Sequence, residues 1–148
     1  MKLVITRVKN ASVEIDGMCH SQIQQGLLVL CGVCEGDTEQ DVAYLAKKTA
    51  GLRIFEDDAG KINLSCQDVG GEILVVSNFT LCADTRKGNR PSFIGAARGE
   101  HAVACYEQFV SNLRTFGYRV KTGVFGADMK LQSINDGPVT ILMDSRDK

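Results

Sequence analysis

Two apolar runs of strand length constrain this chain most. Residues 26–33 are almost continuously apolar, and Ile73, Leu74, Val75 and Val76 sit inside a second run over residues 71–77. A segment this short that is apolar on both faces reads as a buried strand, so each run needs cover on two sides. Around them, residues 2–8 and 11–15 predict two further strands, with Val13 and Ile15 on one face. Asp37 followed by Gln40 predicts a capped helix start, and Val42, Leu45, Ala46 and Thr49 follow at helical spacing.

Residues 52–55 and 62–64 bracket Asp57-Asp58-Ala59-Gly60 and predict a hairpin with its turn. Residues 83–92 are polar, basic and glycine-containing, which predicts a loop. A second helix is predicted from about residue 99 to 116, with Val103, Tyr106, Phe109, Val110 and Leu113 on its inner face. Residues 118–124, 129–134 and 139–143 predict three closing strands. Strands outnumber helices, and hairpin-like neighbours outnumber βαβ units. The expected fold is one α+β domain spanning residues 1–148, a curved or barrel-like mixed β-sheet covered by two helices.

Composition narrows the function class. The chain has 148 residues, a length for one domain with a real core, and its 44% hydrophobic and 24% charged residues are ordinary for a globular protein. A net charge of −1 argues against a general nucleic-acid binder, yet leaves room for an enzyme that touches the end of an RNA through a local basic patch. No apolar run approaches the roughly 20 residues of a membrane span, and the first residues lack a signal-peptide layout, so the expected address is cytoplasmic. Cys31 and Cys34 have C-x-x-C spacing but end an apolar run, without the strand-then-helix start that activates such a pair. All six cysteines are expected to be reduced small hydrophobes.

The familiar catalytic sets are missing. The sequence holds no G-x-S-x-G, H-E-x-x-H, Walker A or G-x-G-x-x-G motif, so neither a metal nor a cofactor is expected. His20 and His101 neighbour no obvious nucleophile and read as surface histidines. Glu56, Asp57 and Asp58 are explained by their turn. Two segments remain. Ser77-Asn78-Phe79-Thr80 ends an apolar strand in small polar groups, a plausible oxyanion cradle built from backbone N–H groups and hydroxyls. Asn135-Asp136-Gly137-Pro138-Val139-Thr140 reads as a turn, and its Gly-Pro pair suits a cis bond that could aim two carbonyl oxygens at an amine.

Together these segments resemble the D-aminoacyl-tRNA deacylases, the D-tyrosyl-tRNA deacylase family, which carry a Ser-Gln-Phe-Thr and an Asn-x-Gly-Pro-Val-Thr motif. The likeness spans essentially the whole chain, from Arg7 and Val8 through residues 26–33, 88–93 and 123–129 into the Gly-Pro segment. Position 78 departs from the pattern, with Asn in place of Gln. A side-chain contact from there reaches less far, and a backbone contact is unchanged.

The resemblance implies an editing hydrolase that cuts the ester of D-aminoacyl-tRNA and glycyl-tRNA. It implies a homodimer in which one subunit's cis Gly137-Pro138 turn enters the other's pocket and rejects L-aminoacyl groups. Ser77, Phe79 and Thr80 take catalytic positions in this reading. Phe79 offers its N–H to the substrate carbonyl, and Asn78, Met129, Gly137 and Pro138 face the substrate. Arg7 braces the turn. Arg86, Lys87 and Arg90, beside the first motif, fit either tRNA phosphates or a solvated loop. Two rival readings use other residues: a non-catalytic RNA-binding module working through residues 86–90, and a small redox protein working through Cys31 and Cys34.

Overall fold

The computed structural model describes residues 1–147. Its spine is β1 (Lys2–Ile15), a single strand of 14 residues where the sequence predicts two. The strand stays continuous because β8 (Lys130–Asp144) lies antiparallel along it from Lys2 to Glu14. Its other edge changes partner midway: the first half pairs with β3 (Gly26–Gly32) and the second with β2 (Met18–Ile23). The polar pair Lys9-Asn10 marks that exchange. Asp16 and Gly17, with φ of 52° and 78°, make the tight β1–β2 turn that only left-handed residues allow.

From β3 the sheet continues by two parallel pairings, first to β6 (Glu72–Ser77) and then to β7 (Val120–Thr122). A Cβ on Gly26 would overlap the backbone of Glu72, so the β3–β6 pair can begin only at a glycine. The sheet nearly closes on itself where β7 returns to β2. There Ser21 Oγ donates to the Thr122 carbonyl at 2.8 Å, and Lys121 Nζ donates to the Gln22 carbonyl at 2.7 Å. The result is the expected barrel-like mixed sheet with two helices, α1 (Glu39–Ala50) and α2 (Gly99–Thr115).

The apolar runs owe their double-sided character to this closure. Leu27 and Val29 on β3, with Ile73 and Val75 on β6, face the helices and pack with Val42, Leu45, Phe109 and Leu113. Leu28, Leu74 and Val76 face the barrel interior with Val8, Val13 and Ile23. Fully burying each such side chain stabilises the fold by roughly 1.5–3 kcal/mol. The hairpin of β4 (Arg53–Glu56) and β5 (Ile62–Ser65) forms a separate two-stranded sheet.

Three expectations are corrected. Helix α1 is capped by Thr38, whose N–H and hydroxyl both donate to Asp41 Oδ2, and not by Asp37. Asp37 is buried and accepts hydrogen bonds from the Met1 ammonium at 2.5 Å and from the Cys34 N–H at 2.6 Å. A buried carboxylate is tolerable only with such paired donors, and that need outweighs a cap. The three closing strands are in fact β7 and one unbroken β8. The cysteines are not all reduced, because Cys34 and Cys82 form a disulfide across 48 positions. Among the described residues Cys19, Cys31, Cys66 and Cys105 are free.

Candidate functional site

A cavity of about 790 Å³ opens where β3 and β6 end side by side. Parallel neighbours finish at the same edge, so their last residues and the loops beyond them converge there. The Asn78 N–H donates to the Cys31 carbonyl at 2.8 Å and carries the pairing past Ser77. The chain then tightens into a 3-10 turn, Phe79–Cys82, with Asn78 as its cap. Asn78 Oδ1 accepts the Thr80 N–H at 3.3 Å and the Thr80 hydroxyl at 2.5 Å. The turn begins at Phe79, so the Phe79 N–H has no partner within it.

The Cys34–Cys82 disulfide ties the end of this turn to the segment after β3, and Ala96 packs against it. The opposite wall comes from Phe93, Ala97 and the start of α2, and a third from residues 125–129 with Leu131. Phe79 stands edge-on to Phe93 at 5.2 Å between ring centroids, and Phe125 is set edge-on against Tyr106 at 5.6 Å. Tyr106 is itself pinned by donating its hydroxyl to the Val75 carbonyl at 2.9 Å. Burial pushes the Tyr106 hydroxyl well above its usual range, so it stays a neutral donor. No described group of His, Cys, Asp and Glu could hold a metal ion.

Ser77, Asn78, Phe79, Thr80 and Met129 all line this cavity. Gly137, Pro138 and Arg7 do not. They meet each other elsewhere, on the β1–β8 pair. Val8 pairs with Asn135 and Thr6 with Thr140, so residues 136–139 bulge outward opposite the single residue Arg7. The Gly137–Pro138 bond at the bulge is cis and exposed, as the sequence predicts. Arg7 is buried beneath it, donating through Nε to the Asp136 carbonyl at 3.2 Å and through Nη1 to the Ile54 carbonyl at 2.7 Å. Its guanidinium also lies over the Phe55 ring at 6.0 Å.

The basic loop is uneven. Arg86 donates twice to the Asp84 carboxylate, at 2.9 and 2.6 Å, and this contact holds the Asp84 carboxyl well below the usual range. Lys87 and Arg90 are exposed. The histidines are exposed as expected, although a ring nitrogen of His101 lies 3.0 Å from the Asp37 carbonyl. The redox reading of Cys31 and Cys34 fails on geometry, because Cys34 is bonded to Cys82 while Cys31 is a buried free thiol. Burial pushes the Cys31 thiol far up, which keeps it inert.

Sequence reasoning missed the second wall. Phe93, Ala97 and Arg98 are cavity residues, and nothing in their types marks them. Their one signal was proximity, since residues 88–93 and 123–129 belong to the resemblance.

Comparison with known proteins agrees with this geometry. The family model of the D-Tyr-tRNA(Tyr) deacylases matches residues 4–144. A D-aminoacyl-tRNA deacylase of Akkermansia muciniphila is 57% identical, covering 99% of this chain and 98% of its own. That of Cytophaga hutchinsonii is 55% identical over 100% and 99%. Among solved structures, a c-Myc DNA unwinding element binding protein superposes with a TM-score of 0.91 at 42% identity, covering 97% of this chain and 98% of its own. A probable eukaryotic D-amino acid tRNA deacylase shares the fold, with a TM-score of 0.81 at 15% identity over 96% and 97%. With the family model spanning nearly its full length and relatives above half identity, this chain belongs to the D-Tyr-tRNA(Tyr) deacylase family, a family of hydrolases.

Proposed function

We propose that the chain removes D-amino acids, and glycine, from mischarged tRNA by hydrolysing the aminoacyl ester, and spares L-aminoacyl-tRNA. The observation that carries this reading is the separation of the two motifs. The cavity is lined by residues Ser77 to Thr80 but not by Gly137 and Pro138, which stand exposed on a bulge that Arg7 holds from below. A protruding backbone segment and an open cavity on one chain make a self-complementary pair. Two copies related by a two-fold axis can fill each other's sites.

In such a dimer the carbonyl oxygens of Gly137 and Pro138 accept hydrogens from the substrate α-ammonium. An L side chain then points into the inserted backbone, whereas a D side chain points away from it. Glycine has nothing to exclude and is cut. The Phe79 N–H receives the oxyanion as the ester carbonyl is attacked. The aminoacyl ester is already activated and has a ribose hydroxyl beside it, so positioning suffices without a catalytic histidine. Lys87 and Arg90 meet acceptor-stem phosphates, while Arg86 shapes the loop through Asp84. No described helix is long and apolar enough to cross a membrane, and a cytoplasmic site of action belongs to this reading.

The test is a deacylation assay on D-tyrosyl-, L-tyrosyl- and glycyl-tRNA, with sedimentation at the assay concentration. The expected result is turnover of the first and third by a dimer. Equal rates on the D- and L-tyrosyl substrates, or a fully active monomer, would overturn it.

A further inference from the structure

Threonine hydroxyls in hydrolase sites invite the role of nucleophile, and the contacts of Thr80 argue for a different one. A side-chain amide can present either oxygen or nitrogen, and its assignment rests on its partners. Here the partner settles it. The atom of Asn78 that faces the Thr80 hydroxyl also receives the Thr80 backbone N–H, which can only donate. That atom must therefore be an oxygen. An amide oxygen has no hydrogen to give, so the hydroxyl in turn must be the donor of the 2.5 Å contact. The single proton of Thr80 is committed to Asn78, and both lone pairs of Thr80 Oγ remain for other partners. Thr80 lines the cavity and is exposed to it.

We infer that Asn78 is a positioning residue that fixes Thr80 as a hydrogen-bond acceptor for an O–H group at the reacting end of the substrate. The inference rests on the proposed ester hydrolysis in this cavity. An amide oxygen is no base, so Asn78 cannot draw the proton off Thr80 to make a nucleophile. A hydroxyl already donating to a carbonyl is polarised and accepts more strongly. The O–H it takes belongs to either the attacking water or the neighbouring ribose hydroxyl, and holding that hydrogen turns the reacting group to one orientation. Asparagine suits this task by its length. Its carboxamide folds back onto the turn that it caps.

The experiment measures kcat and KM for D-tyrosyl-tRNA with Asn78→Ala, Asn78→Asp, Thr80→Val and the double variant Asn78→Ala/Thr80→Val. Losing one oriented hydrogen bond should lower kcat about three- to tenfold, with KM little changed. The aspartate variant should recover most of the loss at neutral pH, because a carboxylate accepts as the amide does. It should also show a new acid limb in kcat as that carboxyl protonates and becomes a donor. Asn78→Ala should add nothing further in the Thr80→Val background.

A tRNA ending in 2′-deoxyadenosine identifies the O–H. If it is the ribose hydroxyl, Thr80→Val has no additional effect on that substrate; if it is water, the loss persists. Additive losses in the double variant, or no acid limb in a folded Asn78→Asp enzyme, overturn the inference while leaving deacylation intact. A wild-type chain that leaves D-tyrosyl-tRNA intact overturns the proposed function and this inference with it.

Discussion

Arg7 donates to the backbone carbonyl of Asp136 at 3.2 Å, one residue before the exposed Gly137–Pro138 bond, from a position on β1 that is only 5% exposed. The cation bridges Asp136 on the bulge, through its backbone carbonyl and an ion pair with its carboxylate at 3.5 Å, to the Ile54 carbonyl on β4. Replacing it with alanine leaves both carbonyls without their charged donor, and such bonds contribute about 1.5–3 kcal/mol each. Arg7→Ala is expected to lower stability by roughly 3–6 kcal/mol, read by thermal melting, and to lower deacylation further than stability explains. Lysine should not rescue it, because one ammonium cannot span both carbonyls as the guanidinium fork does.

Gly137 tolerates no side chain. Its φ is +117°, and an added Cβ would lie 2.9 Å from both Arg7 Nη2 and Val139 Cγ2. Gly137→Ala should displace the bulge and cut turnover of D-tyrosyl-tRNA at least tenfold, an effect of about 1.4 kcal/mol or more on the barrier. The ratio of D- to L-tyrosyl rates is the sharper readout, and it should fall toward one. An alanine variant with wild-type rates and ratio would show that the bulge has no part in selection.

The Cys34–Cys82 bond closes a loop of 48 positions. A crosslink of that span contributes about 4 kcal/mol by restricting the unfolded chain. Reduction with a dithiol should therefore lower the melting temperature by on the order of 10 °C. The Cys34→Ala/Cys82→Ala protein should melt low with or without reductant. A melting temperature indifferent to reductant in the wild type would show that the bond contributes nothing.

The free thiols should divide sharply in reactivity. Burial pushes Cys66 up to about 12 and raises Cys31 and Cys105 as well. A raised value keeps the thiol protonated at pH 8, and the protonated form does not attack an alkylating agent. Cys19 alone is exposed. Iodoacetamide at pH 8 should modify Cys19 alone in the folded protein, and mass mapping checks this. Labelling of Cys31 at a comparable rate would contradict its burial.

Much of the fold was legible because its signals are local. The runs at residues 26–33 and 71–77 carry their double burial in their composition, and α2 carries its inner face in the spacing of Tyr106, Phe109, Val110 and Leu113. The misreadings share a cause: the deciding partner is distant in sequence. Lys9-Asn10 looks like a break until β8 is seen to continue the pairing across it, with only a register shift between Val8 and Asn10. Asp37 looks like a cap until Met1 arrives beside it. Cys34 and Cys82 give no hint of each other across the intervening chain.

The candidate site divided along the same line. Ser77 to Thr80 and the Gly137-Pro138 pair are each ambiguous alone, since strands often end in small polar residues and Gly-Pro commonly marks a turn, and they were legible only together, through the family resemblance they carry. That Asn78 would turn back onto Thr80 is a fact of three-dimensional placement. The bland walls of the cavity, Ala96 and Ala97 among them, matter by shape alone.

The anchoring of Asn78 to Cys31 has a consequence for motion. That amide continues the β3–β6 pairing, and the turn beyond it is bolted back by Cys82. Local opening therefore has no hinge to use at the first motif. The Asn78 N–H should exchange with deuterium only when the central sheet itself comes apart, hours behind the amides of the exposed loop at residues 85–90. The cavity floor is in this sense a mould and not a hand. Whatever accommodation a ligand requires must come from the ligand, or from the outer loops.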